Sequence, residues 1–333
     1  MNKLYRTVSK TLLATVVATT GLLATTAANA DDYPKKPVNF VVGFGVGGSA
    51  DRMTRTMASF VGDELGQPIK VINKKGAGTQ IAANYVLNRP DDGYTVFAST
   101  FAPYLSNTIL KGKASYGMAD FSFINLQWFD FELIASYKDS PYKDMASLIK
   151  AIKEKPKTVK AAVMQGGAGH ITIKLLLEKY NIPQENLNLV TFNSGGKARS
   201  AVAGGQVDFI IISAEGSEGI REFLTPLAVV RDDRSDRWDA PTINEAIKGS
   251  GITMPVIRGS MRGFAVSSEL KNKFPQRYEK LTNAFQNTLA NKGVQKTLKG
   301  NNIGGVWIGP DKADELMKEN FEMFNTYKYL LNK

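Results

Sequence analysis

Three turns in this sequence share one design: a β-rich run, then small residues, then a helix start. They are Gly43-Phe44-Gly45-Val46-Gly47-Gly48-Ser49-Ala50-Asp51, Gly76-Ala77-Gly78-Thr79 and Gly166-Gly167-Ala168-Gly169-His170. A fourth, Asn193-Ser194-Gly195-Gly196-Lys197, precedes another helical stretch. A helix N-terminus carries unpaired N–H groups and about half a positive charge. Glycine lets an anion approach that backbone closely, so a carboxylate or phosphate is held there without a charged side chain. One such turn is often only a tight corner. Four of them, two in each half of the chain, point to anion binding.

Other chemistries fit less well. Gly43-x-Gly45-x-x-Gly48 satisfies the dinucleotide fingerprint between a strand and a helix. That motif wants an acidic residue after the next strand, and Asn73-Lys74-Lys75 stands there instead, so only an NADP-type oxidoreductase survives as a distant alternative. Gly47-Gly48-Ser49-Ala50 lacks the Gly-Lys-Ser/Thr of a phosphate-binding P-loop. Ser49 and Ser194 have no nucleophile elbow, and His170 is the sole histidine, so no catalytic residue is expected. With no cysteine, thiolate metal sites and disulfides are excluded; neither a metal site nor a cofactor is expected. His170 starts a helix after a glycine turn, where it either reaches a ligand or is a plain surface residue. Asp51 is read as structural, stabilising its helix start or pairing with Arg55 four residues on, because a carboxylate repels an anionic ligand.

The chain ends narrow the setting. Lys3, Arg6 and Lys10 precede an apolar run from Leu12 to Ala24, and Ala28-Asn29-Ala30 offers a small-x-small cleavage pattern before Asp31. Residues 1–30 are therefore expected to be a secretory signal peptide without a lipid-attachment cysteine, leaving the mature protein free in a periplasm. Among 333 residues there are 42 basic and 31 acidic ones, net +11. Removing the three leader cations leaves 39 basic residues and a net charge of +8. These charges are scattered, which favours solvated surface with mild attraction of anions over nucleic-acid binding. No other apolar run approaches membrane-spanning length, and a monomer is the default expectation.

Strand-like and helix-like segments alternate throughout, the pattern of layered α/β domains. Strands are expected at Val38–Val42, Ile69–Ile72, Tyr94–Ser99, Phe131–Tyr137, Val159–Met164, Leu187–Phe192 and Val207–Ile212. Helices are expected at Ala50–Leu65, Ile81–Leu87, Met145–Glu154, His170–Tyr180 and Ala198–Ala203, with a mostly helical tail over Glu269–Leu298 and Lys312–Leu331. The aromatic residues Phe101, Tyr104, Tyr116, Phe121 and Phe123 are expected to be mostly core, with one or two walling a cleft. Two similar lobes with no floppy linker would face their strand-end loops into one gap, since ligands of open α/β sheets bind outside the carboxyl ends of the strands.

These residues resemble a family. Tyr33-Pro34-x-x-Pro37-Val38, then Phe44-x-x-Gly47-Gly48-Ser49-x-Asp51-x-x-x-Arg55, is similar to the opening of the Bug-type receptors of tripartite tricarboxylate transporters. Leu65-Gly66-Gln67-Pro68, Asn73-x-x-Gly76-Ala77-Gly78, Pro90-x-Asp92-Gly93-Tyr94-Thr95, Gly204-Gly205-Gln206-Val207-Asp208, Leu227-Ala228-Val229 and Pro241-Thr242-Ile243-Asn244-Glu245 continue the likeness. The resemblance implies an α/β periplasmic binding protein of the two-lobed Venus-flytrap, type II-like kind, with a mixed sheet flanked by helices in each lobe. Lobe I would span 31–130 plus 251–333 and lobe II 131–250. It implies no enzymatic activity, integral membrane permease subunits as partners, and a small carboxylate ligand: a di- or tricarboxylate, an acidic amino acid or an aromatic acid. A sensor presenting the acid to a membrane kinase is the alternative.

By matching positions, the first-lobe ligand contacts would be Phe44, Val46, Gly47, Gly48, Ser49, Ala50, Ala77, Gly78, Thr79, Ser99 and Thr100. The second lobe would supply Gly167, Gly169, His170, Phe192, Asn193, Ser194 and Gly195, with Asp51, Arg55 and Asp208 as structural residues near the site. Two departures stand out: Thr79 replaces the family's usual second glycine, and Phe192-Asn193-Ser194-Gly195 replaces its Tyr-Lys-Gly. Asn193, Ser194 and Lys197 are therefore the candidates for setting specificity.

Overall fold

The computed structural model describes residues 32–331 other than Lys113; the leader expected over residues 1–30 lies outside them. Residues Pro34–Lys333 form one compact unit. In chain order its strands are β1 (Val38–Val42), β2 (Ile69–Asn73), β3 (Thr95–Ala102), β4 (Phe121–Phe129), β5 (Glu132–Tyr137), β6 (Lys160–Met164), β7 (Asn188–Phe192), β8 (Phe209–Ser213), β9 (Leu224–Val230) and β10 (Met261–Ser267). Its helices are α1 (Ser49–Leu65), α2 (Gln80–Leu87), α3 (Tyr104–Leu110), α4 (Met145–Glu154), α5 (Ala168–Lys179), α6 (Gly195–Ala203), α7 (Ile243–Ala246), α8 (Ser268–Lys273), α9 (Pro275–Ala290), α10 (Lys292–Gly300) and α11 (Gly309–Thr326).

The strands make two five-stranded mixed sheets of the same plan, in the orders β2-β1-β3-β10-β4 and β7-β6-β8-β5-β9. In the first, β1 runs parallel to β2 and β3, and β10 is antiparallel to β3 and β4. In the second, β6 runs parallel to β7 and β8, and β5 is antiparallel to β8 and β9. The two-lobed expectation, a mixed sheet with helices in each lobe, is met. The chain passes from one sheet to the other at Asp130-Phe131, between β4 and β5, and returns between β9 and β10.

Local chemistry explains the elements that position the turns. In α1 the buried residues Ala50, Met53, Thr54, Met57, Ala58, Val61 and Leu65 recur at helical spacing and face the sheet. Each large apolar side chain buried this way contributes roughly 1.5–3 kcal/mol. Gly66 ends the helix in the left-handed conformation, φ 67°. On the first sheet, Phe40, Phe264 and Phe285 stack with ring centroids 4.5–5.7 Å apart, fixing α9 against the strands. Phe97, Phe101, Phe121, Phe123 and Tyr116 continue as a chain of rings, so the aromatic segment is core. A separate apolar cluster built on Met145, Leu148, Ile171, Leu175, Phe209 and Ile211 fills the second half.

Candidate functional site

In both sheets the glycine turns follow the carboxyl ends of parallel strands: β1 into α1, β2 towards α2, β6 into α5 and β7 into α6. At none of these four helix starts does a side chain cap the backbone; the N-cap positions are Gly48, Thr79, Gly167 and Ser194. At α1, α5 and α6 the first amides can therefore meet an acceptor from outside the helix, while at α2 the Gln80 amide already donates to the Ala77 carbonyl.

Each turn is held by its own means. In the first, Asp51 is 1 % exposed and its carboxylate accepts the Gly47 amide at 2.9 Å, Arg55 Nε at 3.0 Å and Asn73 Nδ2 at 2.8 Å. Asn73 Nδ2 also donates to the Phe44 carbonyl. Burial alone would push the Asp51 pKa up, but the hydrogen bonds from Arg55, the Gly47 amide and Asn73 overcome it and hold it below the ordinary carboxylate range. Asp51 and Arg55 thus brace the turn from behind. In the second turn, Gly76, Ala77, Gly78 and Thr79 all have positive φ, 137°, 46°, 61° and 78°. A β-branched residue in that region is strained, and Thr79 is held there by a 2.8 Å hydrogen bond between its hydroxyl and that of Ser99. A Cβ on Gly43 would stand 1.9 Å from Thr79 Oγ1, so glycine at 43 is required by this contact.

The third turn is buried from Gly166 to His170. The Gly166 amide donates to His170 Nδ1 at 3.2 Å, and burial, with Lys174 and Lys111 nearby, lowers the imidazole pKa to about 4. His170 is neutral and one of its nitrogens serves its own loop. The fourth turn has Phe192 accepting the Gln165 amide through its carbonyl, with Asn193 and Lys197 exposed.

The halves meet over these turns. Phe44 packs edge-on against Tyr104 at 5.1 Å, and the Tyr104 hydroxyl stands 3.3 Å from where a Cβ on Gly167 would lie. Asn107 donates from Nδ2 to the Gly166 carbonyl. Below them lies a charged floor. Arg262, 2 % exposed on β10 and opposite Thr100 in register, donates from Nε to Ser49 Oγ at 2.8 Å and from Nη2 to Asp130 at 3.2 Å. The same Nη2 lies 3.3 Å from Ser213 Oγ. Arg199, in α6, donates from Nη2 to that same Ser213 hydroxyl at 2.8 Å and from Nε to Ser217 at 2.9 Å. Trp128 lies under the Arg262 guanidinium at 4.4 Å and donates to Glu215 at 2.9 Å. Glu132, opposite Ser213 in register, is 5 % exposed, and its carboxyl makes no hydrogen bond among the described residues. Burial, reinforced by Asp130 and opposed by Arg262 and Arg199, pushes its pKa up to about 8.

Asp208 is the exception among the structural residues expected near the site. It precedes β8, while Ser213 ends it, so the two lie about 17 Å apart at strand spacing. There its carboxylate accepts the Lys160 amide at 2.7 Å and ties β6 to β8 at the opposite end of these strands. Two surface pockets, about 300 and 290 Å³, flank the crossing strands around Phe131 and Arg258, and around Trp128 and Lys299; no residue of the glycine turns lines either.

A family model described as the tripartite tricarboxylate transporter family receptor, TctC, matches residues 53–327. The chain belongs to that receptor family. Protein BugT of Bordetella pertussis is 28 % identical over 313 residues, covering 91 % of this chain and 92 % of its own. A Cupriavidus necator protein described as UPF0065 protein in gbd 5'region is 27 % identical over 292 residues, covering 86 % and 85 %. In fold, the TctC receptor is similar to MatC of Rhodopseudomonas palustris with bound malate, TM-score 0.75 at 22 % identity over 90 % of this chain and 100 % of that one. It is likewise similar to the periplasmic binding protein BugD, TM-score 0.73 at 22 % identity over 90 % and 98 %. A receptor family is not an oxidoreductase family, so the Gly43-x-Gly45-x-x-Gly48 fingerprint has no dinucleotide meaning here.

The glycine turns of this TctC receptor were singled out from sequence and Tyr104 was named there among the aromatics expected to be core or to wall a cleft, whereas Arg199, Arg262, Asp130, Glu132 and Ser213 beside them were not. Signals existed. Arg262 interrupts an otherwise apolar strand, Met261-Arg262-Gly263-Phe264-Ala265-Val266. Arg199 stands in the middle of α6 among small residues, Gly195-Gly196-Lys197-Ala198-Arg199-Ser200-Ala201.

Proposed function

We propose that this chain is an exported receptor that captures a small carboxylate between two lobes, 31–130 with 251–333 and 131–250, and delivers it to membrane permease subunits. The observation that supports this most directly is the set of four uncapped helix starts, two on each sheet, joined through Ser49, Arg262 and Ser213. Backbone amides at these starts take the acid's oxygens; contacts made only when the lobes are together favour the closed form, because equal affinity for both forms shifts nothing. The solved relatives support the ligand class by what they hold: malate in MatC and adipate in an R. palustris protein. A periplasmic location agrees with the basic, apolar, small-x-small start of the chain and with the family. Among the described residues no helix is long and apolar enough to cross a membrane.

A thermal-shift screen of the purified protein against aliphatic diacids, acidic amino acids and aromatic acids tests the reading. An acid at a hundred times its Kd adds about 2.7 kcal/mol, a rise of roughly 4 °C in Tm for a chain of this length. If no acid on such a panel moves Tm, the carboxylate-receptor reading is wrong.

A further inference from the structure

The charged floor holds more donors than the protein itself uses. Arg262 Nη1 is buried without a hydrogen-bond partner, and Arg199 Nη1 and the Tyr104 hydroxyl donate to no described residue. Two guanidinium groups converge on one hydroxyl, Ser213 Oγ, although like charges repel at such range. Of the two acids beside them, Asp130 is fully engaged: Oδ1 accepts the amides of Phe131 and Glu215, and Oδ2 accepts from Arg262. Glu132 is unpartnered. Buried donors left unmet are costly and cationic ones more so, which leaves a place suited to an oxyanion. Guanidinium groups suit carboxylates because their N–H groups pair with both oxygens in one plane.

We propose that Arg199 and Arg262, with Tyr104, form a side-chain subsite for a second acidic group of the ligand, and that Glu132 is the proton-carrying group of that subsite. This rests on the reading that the cleft captures an acid, and it adds that the captured acid is read at both ends, by amides at the glycine turns and by guanidinium groups at the floor. Glu132 is faced by Asp130 from the crossing segment, Arg262 from β10, Arg199 from α6 and Tyr104 from α3. A second anion arriving there raises the Glu132 pKa beyond its value of about 8, so capture above that pH takes up a proton.

Calorimetric titration of the full mature protein with aliphatic diacids of three to seven carbons, their half-amides and an aromatic monoacid decides the matter. The expected result is a preference of at least about tenfold for the best diacid over its half-amide, lost in Arg199→Gln. Above pH 8 diacid affinity should fall by up to about tenfold per pH unit, half-amide affinity should not, and Glu132→Gln should flatten the difference. The unmutated protein alone is decisive should either variant fold poorly. Half-amides or a monoacid binding as tightly as the diacids, or a diacid preference indifferent to pH between 7 and 9, overturns the subsite while leaving the receptor intact. No acid binding at all removes the receptor reading and this one with it.

Discussion

Four helices that begin where the two sheets face each other start differently from four that begin elsewhere. Away from the gap, Asp144 caps α4, Thr242 caps α7, Ser267 caps α8 and Asn291 caps α10, each accepting a backbone amide through its side chain. At the start of α11 the amides of the cap residue Ile308 and of Gly309 donate to Asn125 Oδ1 on β4. Facing the gap, α1, α2, α5 and α6 begin at Gly48, Thr79, Gly167 and Ser194 with no side-chain cap. A cap is worth about 1 kcal/mol, so each open start gives up stability that the same chain secures elsewhere. Two further helices, α3 and α9, also lack a side-chain cap, but they begin at Pro103 and at Phe274 before Pro275, where a proline has no amide to satisfy. The open starts built of small residues are therefore the ones suited to something that arrives later.

The sharpest way to break this contrast is to close one of the open starts. Gly48 has φ −69° and ψ 164°, ordinary N-cap geometry, and an added Cβ would stand 3.3 Å from the Gly45 carbonyl, a tight but tolerable approach. Gly48→Asp should place its own carboxylate on the α1 amides, raising Tm of the empty protein. It should also cost acid affinity at least about a thousandfold, since two charge-assisted hydrogen bonds are lost and a like charge is added. An unchanged Kd by calorimetry, with the raised Tm, would show that the α1 amides are not where the acid sits.

The second test concerns how an open start is supported. His170 has its pKa lowered to about 4 by burial first and by Lys174 and Lys111 next, against an ordinary value of 6.5. The unfolded chain therefore binds a proton between these pH values that the folded chain does not. Stability from this residue is complete above 6.5 and lost as pH falls towards 4, by up to about 3 kcal/mol. Glu132 acts in the opposite sense, its raised pKa making stability decline as pH rises from 4.5 through 8. The measurement is thus a difference: urea unfolding at pH 7 and 4.5, parent against His170→Gln, which should lose less stability on acidification. Equal losses would show that the Gly166 turn does not depend on a neutral imidazole.

What the sequence made legible follows from what is local. Met145–Glu154 and Val38–Val42 were readable to the residue because a periodic apolar face and clear flanking turns define them. The glycine turns were readable because backbone geometry at Gly47, Gly76 and Gly166 demands small residues. Strands β4, β9 and β10 were not. Phe121–Phe129 is buried along almost its whole length and so shows no alternation, and its nine residues could equally be a buried helix. Those missing strands carry or adjoin Trp128, Asp130 and Arg262, so the charged floor vanished from the reading together with them. Its partners lie far apart in the chain, Ser49 with Arg262 and Arg199 with Ser213, and no spacing rule announces such meetings.

The smallest expected effect checks the other side of the contrast. Asp144 accepts the Ser147 amide at 2.7 Å while the Ser147 hydroxyl approaches the Asp144 amide, a reciprocal cap on an exposed helix start. The Ser147 amide holds the Asp144 pKa below the ordinary carboxylate range. The stability it lends is therefore complete above that ordinary range and is lost as pH falls through the lowered value. Asp144→Ala should cost about 1 kcal/mol at pH 7 by urea unfolding, with the deficit shrinking in acid as the parent's own carboxylate protonates. Acid affinity should stay within about twofold of the parent, because Asp144 is a cap far from any glycine turn in sequence and bonds only within its own helix start. A loss of affinity comparable to that of Gly48→Asp would mean that capped and open starts are not separate classes. The free amides would then owe their openness to local sequence alone, and not to a ligand.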